Sequence, residues 1–166
     1  MIEIRRAEPA DGDALGEIHA AAWEAAYAPF FDPGFARAGV RDRRSRWHER
    51  IAGPDPDTVL LALADGHPLA LSWSAPSRER PGSAELYSFY AHPDGWGTGI
   101  AAALMTGTLD HLRESGFEGV HLWTLRDTPR SRRFYAKSGF TASGLTRTHD
   151  FGDGHPLPQL EYQRPV

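Results

Sequence analysis

The stretch between Ala84 and Phe117 holds the residues whose types and spacing are most able to do chemistry. Trp96-Gly97-Thr98-Gly99-Ile100-Ala101 follows an aromatic-rich extended segment and leads into apolar residues at helical spacing. Glycines at 97 and 99 leave backbone N–H groups bare and approachable, and Thr98 adds a hydroxyl. Those amides stand at a helix N-terminus, where unpaired donors and the helix dipole favour an anion. Such a turn can cradle a phosphate or pyrophosphate. It can also be an ordinary glycine turn between a strand and a helix. Two nucleotide loops fit poorly. A dinucleotide fold wants G-x-G-x-x-G after its first strand and an acid about 20 residues on, but this turn lies past mid-chain and has no third glycine. A Walker loop wants Gly-Lys-Ser/Thr, and here Thr98 is followed by Gly99.

The elements that must position this turn are legible on both sides. Glu85 to Ala91 reads as a strand, with Leu86, Ser88 and Tyr90 on one face and Tyr87, Phe89 and Ala91 on the other. Pro93 and Asp94-Gly95 end it. Ile100, Ala101, Leu104, Met105, Leu109 and Leu112 make the apolar stripe of the next helix. Gly116 stops that helix as a left-handed cap.

The rest of the chain supplies the frame. Ile2 to Arg6 alternates as a first strand. Asp11 is placed to cap a helix whose buried face is Leu15, Ile18, Ala22 and Ala26, with Trp23 and Tyr27 four apart on it. Ala28 to Gly39 reads as an irregular loop, and Arg41 to Ile51 as a second helix stopped by Gly53-Pro54. Thr58 to Ala64 and Pro68 to Ser74 form a hairpin around Asp65-Gly66. Gly119 to Leu125 is the next strand. Thr128 is positioned to cap a helix with Pro129 at its first position and Gly139 just past its end. Phe140 to Thr146 and Pro158 to Gln163 close the chain as a strand pair. This order predicts an α/β domain spanning residues 1–166: a mixed sheet with helices on both faces, parallel where a helix crosses over.

Composition narrows the classes of function. The chain has 166 residues, 40% of them apolar, and a formal net charge of −4, which argues against nucleic acid as a partner. It contains no cysteine, so disulfides, thiolate metal sites and cysteine nucleophiles are excluded. No histidine pair has metal-ligand spacing, and no metal is expected. No apolar run is long enough for a membrane span, and MIEIRRAEPADGD does not read as a signal peptide. A cytoplasmic location is the expectation. Lys137 is the only lysine. The arginines gather at 41–50 and at 126–133, the first cluster reading as a solvated helix face and the second as able to offer one member to a phosphate.

The turn and a second motif resemble the GNAT N-acetyltransferases. That family places an Arg or Gln, two residues, Gly, one residue, then Gly or Ala between a strand and a long helix. Gly99 and Ala101 fill the last two positions, while Trp96 stands where Arg or Gln is usual. Downstream, Thr128 to Phe140 resembles the family's N-x-x-A-x-x-F-Y-x-x-x-G-F. Phe134, Tyr135, Gly139 and Phe140 match, and Thr128 and Ser131 replace Asn and Ala. With its flanking strands the resemblance covers nearly the whole chain.

The resemblance implies a fold, a reaction and residue roles. The strands at 84–91 and 119–125 should diverge and admit acetyl-coenzyme A between them. The activity implied is transfer of its acetyl group to a primary amine of a small molecule or a peptide N-terminus. Tyr135 would protonate the leaving thiolate, as a phenol with an ordinary pKa near ~10 is protonated at neutral pH. Glu85 falls where one branch of the family has its general base, while many relatives draw the amine proton off through water instead. The Phe89 N–H would polarise the thioester carbonyl, and Ala91 would pair with the pantetheine arm. Tyr90, Trp96, Gly97, Thr98, Gly99, Ile100, Ala101, Thr128, Ser131, Arg132 and Phe134 complete the implied coenzyme contacts. Trp23, Tyr27, Phe30 and Tyr87 are the candidates for the acceptor side, Trp23 serving equally well as plain core. His48, His92 and His121 are further candidate bases. A homodimer is a further expectation, and a non-catalytic acyl-coenzyme A sensor with the same fold is the alternative function.

Overall fold

In the computed structural model, residues 1–53 and 57–166 are described; Pro54, expected to help stop the second helix, lies outside them. The strands are β1 (Ile2–Arg6), β2 (Thr58–Ala64), β3 (His67–Pro76), β4 (Ser83–Ala91), β5 (Gly119–Leu125), β6 (Thr141–His149) and β7 (Leu157–Pro165). The helices are α1 (Gly12–Tyr27), α2 (Pro33–Ser45), α3 (Trp47–Ala52), α4 (Ile100–Glu114) and α5 (Pro129–Lys137). The strands form one sheet in the order β1-β2-β3-β4-β5-β7-β6. Its pairs are antiparallel except β4 with β5, which α4 joins as a parallel crossover. The mixed α/β architecture expected from the element order is therefore observed.

Burial follows the apolar periodicities. On one face, Ile100 and Leu104 of α4 pack on Leu60, Ala62 and Ala70, while Met105, Leu109 and Leu112 pack on Ala84, Leu86, Val120 and Leu122. On the other, Leu15 and Ile18 of α1 and Trp47 of α3 cover Leu61, Leu63 and Leu71. Asp65 and Gly66 both take positive φ, +49° and +83°, as a two-residue hairpin between β2 and β3 requires.

Strand β4 departs from plain alternation. Trp73 of β3 pairs with Ser88, yet its neighbour Ser74 pairs with Leu86, so Tyr87 is an extra, unpaired residue. This β-bulge reverses the facing of everything after it. Leu86 therefore shares a core face with Phe89, not with Tyr90, which packs on the α1 side. The assignment of Leu86, Ser88 and Tyr90 to a single face is corrected accordingly. On its other edge β4 pairs with β5 through only three residues, Ser83, Ala84 and Glu85, opposite Gly119, Val120 and His121. Beyond Glu85 the two strands part.

Three local expectations are revised. The segment read as a loop already contains α2 from Pro33, because Asp32 accepts hydrogen bonds from the N–H groups of Gly34 and Phe35 and Pro33 supplies the first helical residue. The helix read as Arg41 to Ile51 is two helices that meet at Arg46. Asp11 stands at the start of α1 but does not cap it; its carboxylate takes a bidentate pair from Arg5 at 2.7 and 2.9 Å.

Between α1, α3 and β4 lies His19, 3% exposed. Its Nδ1 accepts from the Trp47 indole N–H at 3.0 Å, and its ring stacks on Tyr90 at 4.4 Å. Burial first, then the charges of Arg43, Arg46 and Arg50, push its pKa down to about 2. The folded state therefore keeps His19 neutral where the unfolded chain protonates it, so its contribution to stability is full above about pH 6.5 and declines below that. Urea midpoints measured from pH 7 to pH 5 should fall with a His19-dependent slope of up to about 1.4 kcal/mol per pH unit. A His19→Gln variant, compared over the same range, should lose that part of the slope.

Candidate active site

The parting of β4 from β5 opens two cavities that share a wall. The larger, of about 520 Å³, lies between the end of β4, the turn at 95–99, the first turn of α4 and α5. The smaller, of about 190 Å³, lies on the Glu85 side, closed by β5, by the end of β6 and by Phe151 beyond it. Tyr27, Phe89, Tyr90 and Tyr135 line both. Phe89 and Tyr90, neighbours on one strand, stand at this junction from opposite faces, and the bulge at Tyr87 sets which face each takes.

The large cavity ends on the glycine turn. Gly97 and Gly99 have φ of +77° and +86°, and a Cβ built on either would meet nothing within 4 Å. The glycines are thus required by backbone conformation, and the space before them is open to a ligand. Gly99 occupies the cap position of α4 and has no side chain to cap it; of the first amides, that of Ile100 makes a long 3.4 Å hydrogen bond to the Thr98 hydroxyl. The Thr98 hydroxyl donates to the Gly95 carbonyl at 2.6 Å. Ala101 lines the groove, whereas the Ile100 side chain is fully buried and offers only backbone. The Trp96 indole N–H donates to the Ala91 carbonyl at 3.1 Å, and the Arg130 guanidinium lies 3.5 Å over its ring. The groove wall at position 96 therefore carries a cation, supplied from α5. That arginine was not singled out by the sequence. Arg132 was, yet it turns away, donating to the Tyr162 hydroxyl and to the Arg126 carbonyl.

Helix α5 brings Ser131, Phe134 and Tyr135 to the groove. Phe134 stacks on Phe89 at 5.3 Å between ring centres. Burial, and then the neighbouring Tyr90 phenol, raise the Tyr135 hydroxyl well above its ordinary pKa, so it holds its proton at all physiological pH. Thr128 is buried and its hydroxyl donates to the Leu125 carbonyl at 2.7 Å. It stands at the N-cap position of α5 as expected, but its side chain makes no cap and does not line the cavity.

The smaller cavity brings together residues distant in sequence. Glu85 and Tyr87 come from β4, Trp123 from β5, Arg147 and His149 from β6. Glu85 is raised in pKa, chiefly by burial, with His121 and Arg147 opposing the shift. His149 is lowered by burial and by Arg147, which keeps it neutral at pH 7. Behind Glu85, the His121 ring is fully buried, with Nε2 2.7 Å from the Ser77 hydroxyl and Nδ1 3.2 Å from Glu161. Glu79, His121 and Glu161 bring ligand atoms within 4.8 Å of one another, which the sequence spacing could not reveal. The Arg80 guanidinium already holds Glu161, so that group has its positive partner from the protein. His48 pairs with Asp13 at the surface, and His92 accepts from the Asp94 N–H; neither lines a site cavity.

On the acceptor side, Tyr27 and Tyr87 line the smaller cavity, but Trp23 and Phe30 do not. Trp23 is 1% exposed and stacks on Phe31 with Arg43 across its ring. Phe30 packs against the same cluster. The expectation that these two face a substrate is corrected.

Comparison with known proteins matches this arrangement. The model of the acetyltransferase (GNAT) family fits residues 16–140. An uncharacterized N-acetyltransferase of Mycobacterium tuberculosis is 32% identical over 147 residues, covering 87% of this chain and 92% of that protein. A mycothiol acetyltransferase of Sanguibacter keddieii is 35% identical over 98 residues, and the matched part spans 31% of that relative's length. Among solved structures, the PaiA N-acetyltransferase of Thermoplasma acidophilum in complex with coenzyme A superposes with a TM-score of 0.78 at 20% identity, over 100% of this chain and 99% of that one. The matched family residues contain the glycine turn, the parted strands and the Phe134-Tyr135 pair, and the chain belongs to the acetyltransferase (GNAT) family of N-acetyltransferases.

Proposed function

We propose that the chain transfers acetyl from acetyl-coenzyme A to a primary amine of a small molecule or a peptide N-terminus, by direct attack with both substrates bound. One observation carries this reading: a long groove ending on a left-handed glycine turn meets a smaller polar cavity at Tyr27, Phe89, Tyr90 and Tyr135. Two substrates entering from opposite sides would meet there. The groove residues fit the donor. The amides of Gly97 to Ala101 would hold its pyrophosphate, Arg130 on Trp96 would add a positive charge, and Phe89 with Phe134 would flank its arm.

Acetyl-coenzyme A supplies an activated acyl group as a thioester. Glu85, made more basic by burial, would take the proton that the ammonium must lose. The N–H of Phe89, on a stretch of β4 beyond its pairing with β5, would polarise the acetyl carbonyl. Tyr135, held protonated, would donate to the sulfur as the carbon–sulfur bond breaks. Two protons leave the nitrogen: the ammonium's passes through Glu85 to solvent, and the one lost from the tetrahedral adduct replaces the proton that Tyr135 gives to the thiolate, so one proton is released per turnover.

Calorimetry and a thiol-release assay test the reading together. Acetyl-coenzyme A should bind while ATP and NAD do not, and free thiol should appear when a panel of primary amines is supplied. Binding of NAD without acetyl-coenzyme A would defeat it, and binding without thiol release across the panel would make the chain a sensor rather than an enzyme.

A further inference from the structure

The smaller cavity carries information about its occupant beyond "an amine". Two groups in its lining are charged at neutral pH, and they are opposite in sign: Glu85 and Arg147. His149 beside them is neutral, and the phenols of Tyr27, Tyr87, Tyr90 and Tyr135 in the same lining are all raised in pKa and so neutral too. Arg147 is held in place on both sides. Its guanidinium lies 4.3 Å over the Trp123 ring, and its Nε donates to the Gln159 carboxamide at 2.7 Å. Among the described residues it has no carboxylate within ion-pair distance and no hydrogen bond from its two terminal nitrogens. A guanidinium fixed through its inner edge and stacked on an indole presents the outer fork, the geometry that matches a planar oxyanion bidentately. It lies close enough to Glu85 to oppose that residue's shift.

Building on the proposed acetyl transfer and dependent on it, we infer that the acceptor is a small zwitterion, an α-amino acid or a molecule with the same pairing, whose amine turns to Glu85 and whose carboxylate is held by Arg147. A volume of about 190 Å³ suits a group of that size. It lies below the ~300 Å³ at which drug-sized pockets begin. The aromatic walls, Tyr27, Tyr87 and Phe151, then face the acceptor's side chain. The same chemistry could be presented by a peptide N-terminus followed by an acidic residue, and the assay separates the two.

Thiol release is measured for alanine and alaninamide, phenylalanine and phenylalaninamide, and for dipeptide amides with alanine or glutamate second. The amide's amine loses its proton more readily, so a preference for the free acid cannot come from amine basicity. The expected result is a kcat/KM for the acid above that for its amide by roughly 10–100-fold, the loss of one charge-assisted hydrogen-bonded contact. Arg147→Gln should bring that ratio near one, and Arg147→Lys should restore part of it. Arg147 is exposed on an edge strand, so both variants should fold, with melting temperatures lowered only by the loss of its contacts to Trp123 and Gln159. A preference confined to the glutamate-second dipeptide amide identifies the peptide source. Acid and amide used equally well by the wild type, or an Arg147→Gln loss of equal size for both, overturns the inference while leaving acetyl transfer intact. Absence of turnover with every amine, despite bound acetyl-coenzyme A, removes the acetyl-transfer reading and this inference with it.

Discussion

Tyr135→Phe is expected to lower kcat by roughly 10²–10⁴, the contribution of one positioned acid, with coenzyme affinity little changed. The substitution keeps the ring that packs against Phe89, Phe134, Phe140 and Tyr162, and deletes only the hydroxyl. The loss should appear equally in kcat and kcat/KM, as for an interaction made mainly in the transition state. The raised pKa of the phenol places the expected value toward the lower end. A weaker acid hands over its proton less completely and works largely as a hydrogen-bond donor to the departing sulfur. For the same reason the defect should shrink with an acyl donor whose thiol is more acidic. Tyr135→Ala, by contrast, should also lower the melting temperature, because it empties the aromatic junction. A Phe variant that turns over at the wild-type rate, with chemistry rate-limiting, would assign Tyr135 to packing alone.

Gly99→Asp should abolish coenzyme binding in a protein that still folds. A side chain at 99 meets nothing within 4 Å, so the fold loses only the strain of a left-handed residue, about 1–2 kcal/mol, and less for Asp than for most residues. The carboxylate, however, would stand at the start of α4, where the pyrophosphate would sit, and repel it. Gly99→Asn separates charge from shape: it tolerates the same φ, adds nearly the same volume and carries no charge, so it should keep measurable affinity. Calorimetric titration of both variants, alongside their melting curves, checks this. Wild-type affinity in folded Gly99→Asp would move the phosphate site elsewhere.

The features read correctly from sequence are those set by neighbours in the chain. Gly116 takes the left-handed φ expected of it, as do Gly97, Gly99 and Gly139, and β2 and β5 run over the expected residues. Phe134 and Tyr135 reach the groove from the helix to which their motif assigned them. The misreadings have a common origin in contacts between distant segments. An alternating pattern gives no sign of the extra residue at Tyr87, since either parity places a plausible aromatic inside. Arg147 and His149 reach Glu85 only through the pairing of β6 with β7 and of β7 with β5. Arg130 and Arg132 look equivalent along α5; the nearby Trp96 ring and Tyr162 hydroxyl decide which faces the groove. Asp32-Pro33 is the exception, a local cap signal hidden among phenylalanines.

The short contact between β4 and β5 also bears on how the molecule comes apart. Between β1–β4 and β5–β7 the ladder is three residues long, supplemented by the apolar cluster under α4, the stack of Phe89 on Phe134 and the ion pair of Arg80 with Glu161, whereas within each half the ladders run for five to seven paired residues. Amide exchange should accordingly sort into two blocks with a weaker seam between them, and the lowest-energy opening of the native state should be a hinge along that seam. The groove opens where that seam ends. Any molecule that bridges the two halves, as a donor lying between the turn at 97–99 and α5 would, must stitch the blocks together and raise their cooperativity. Occupancy of the site and the mechanical unity of the sheet are then a single equilibrium.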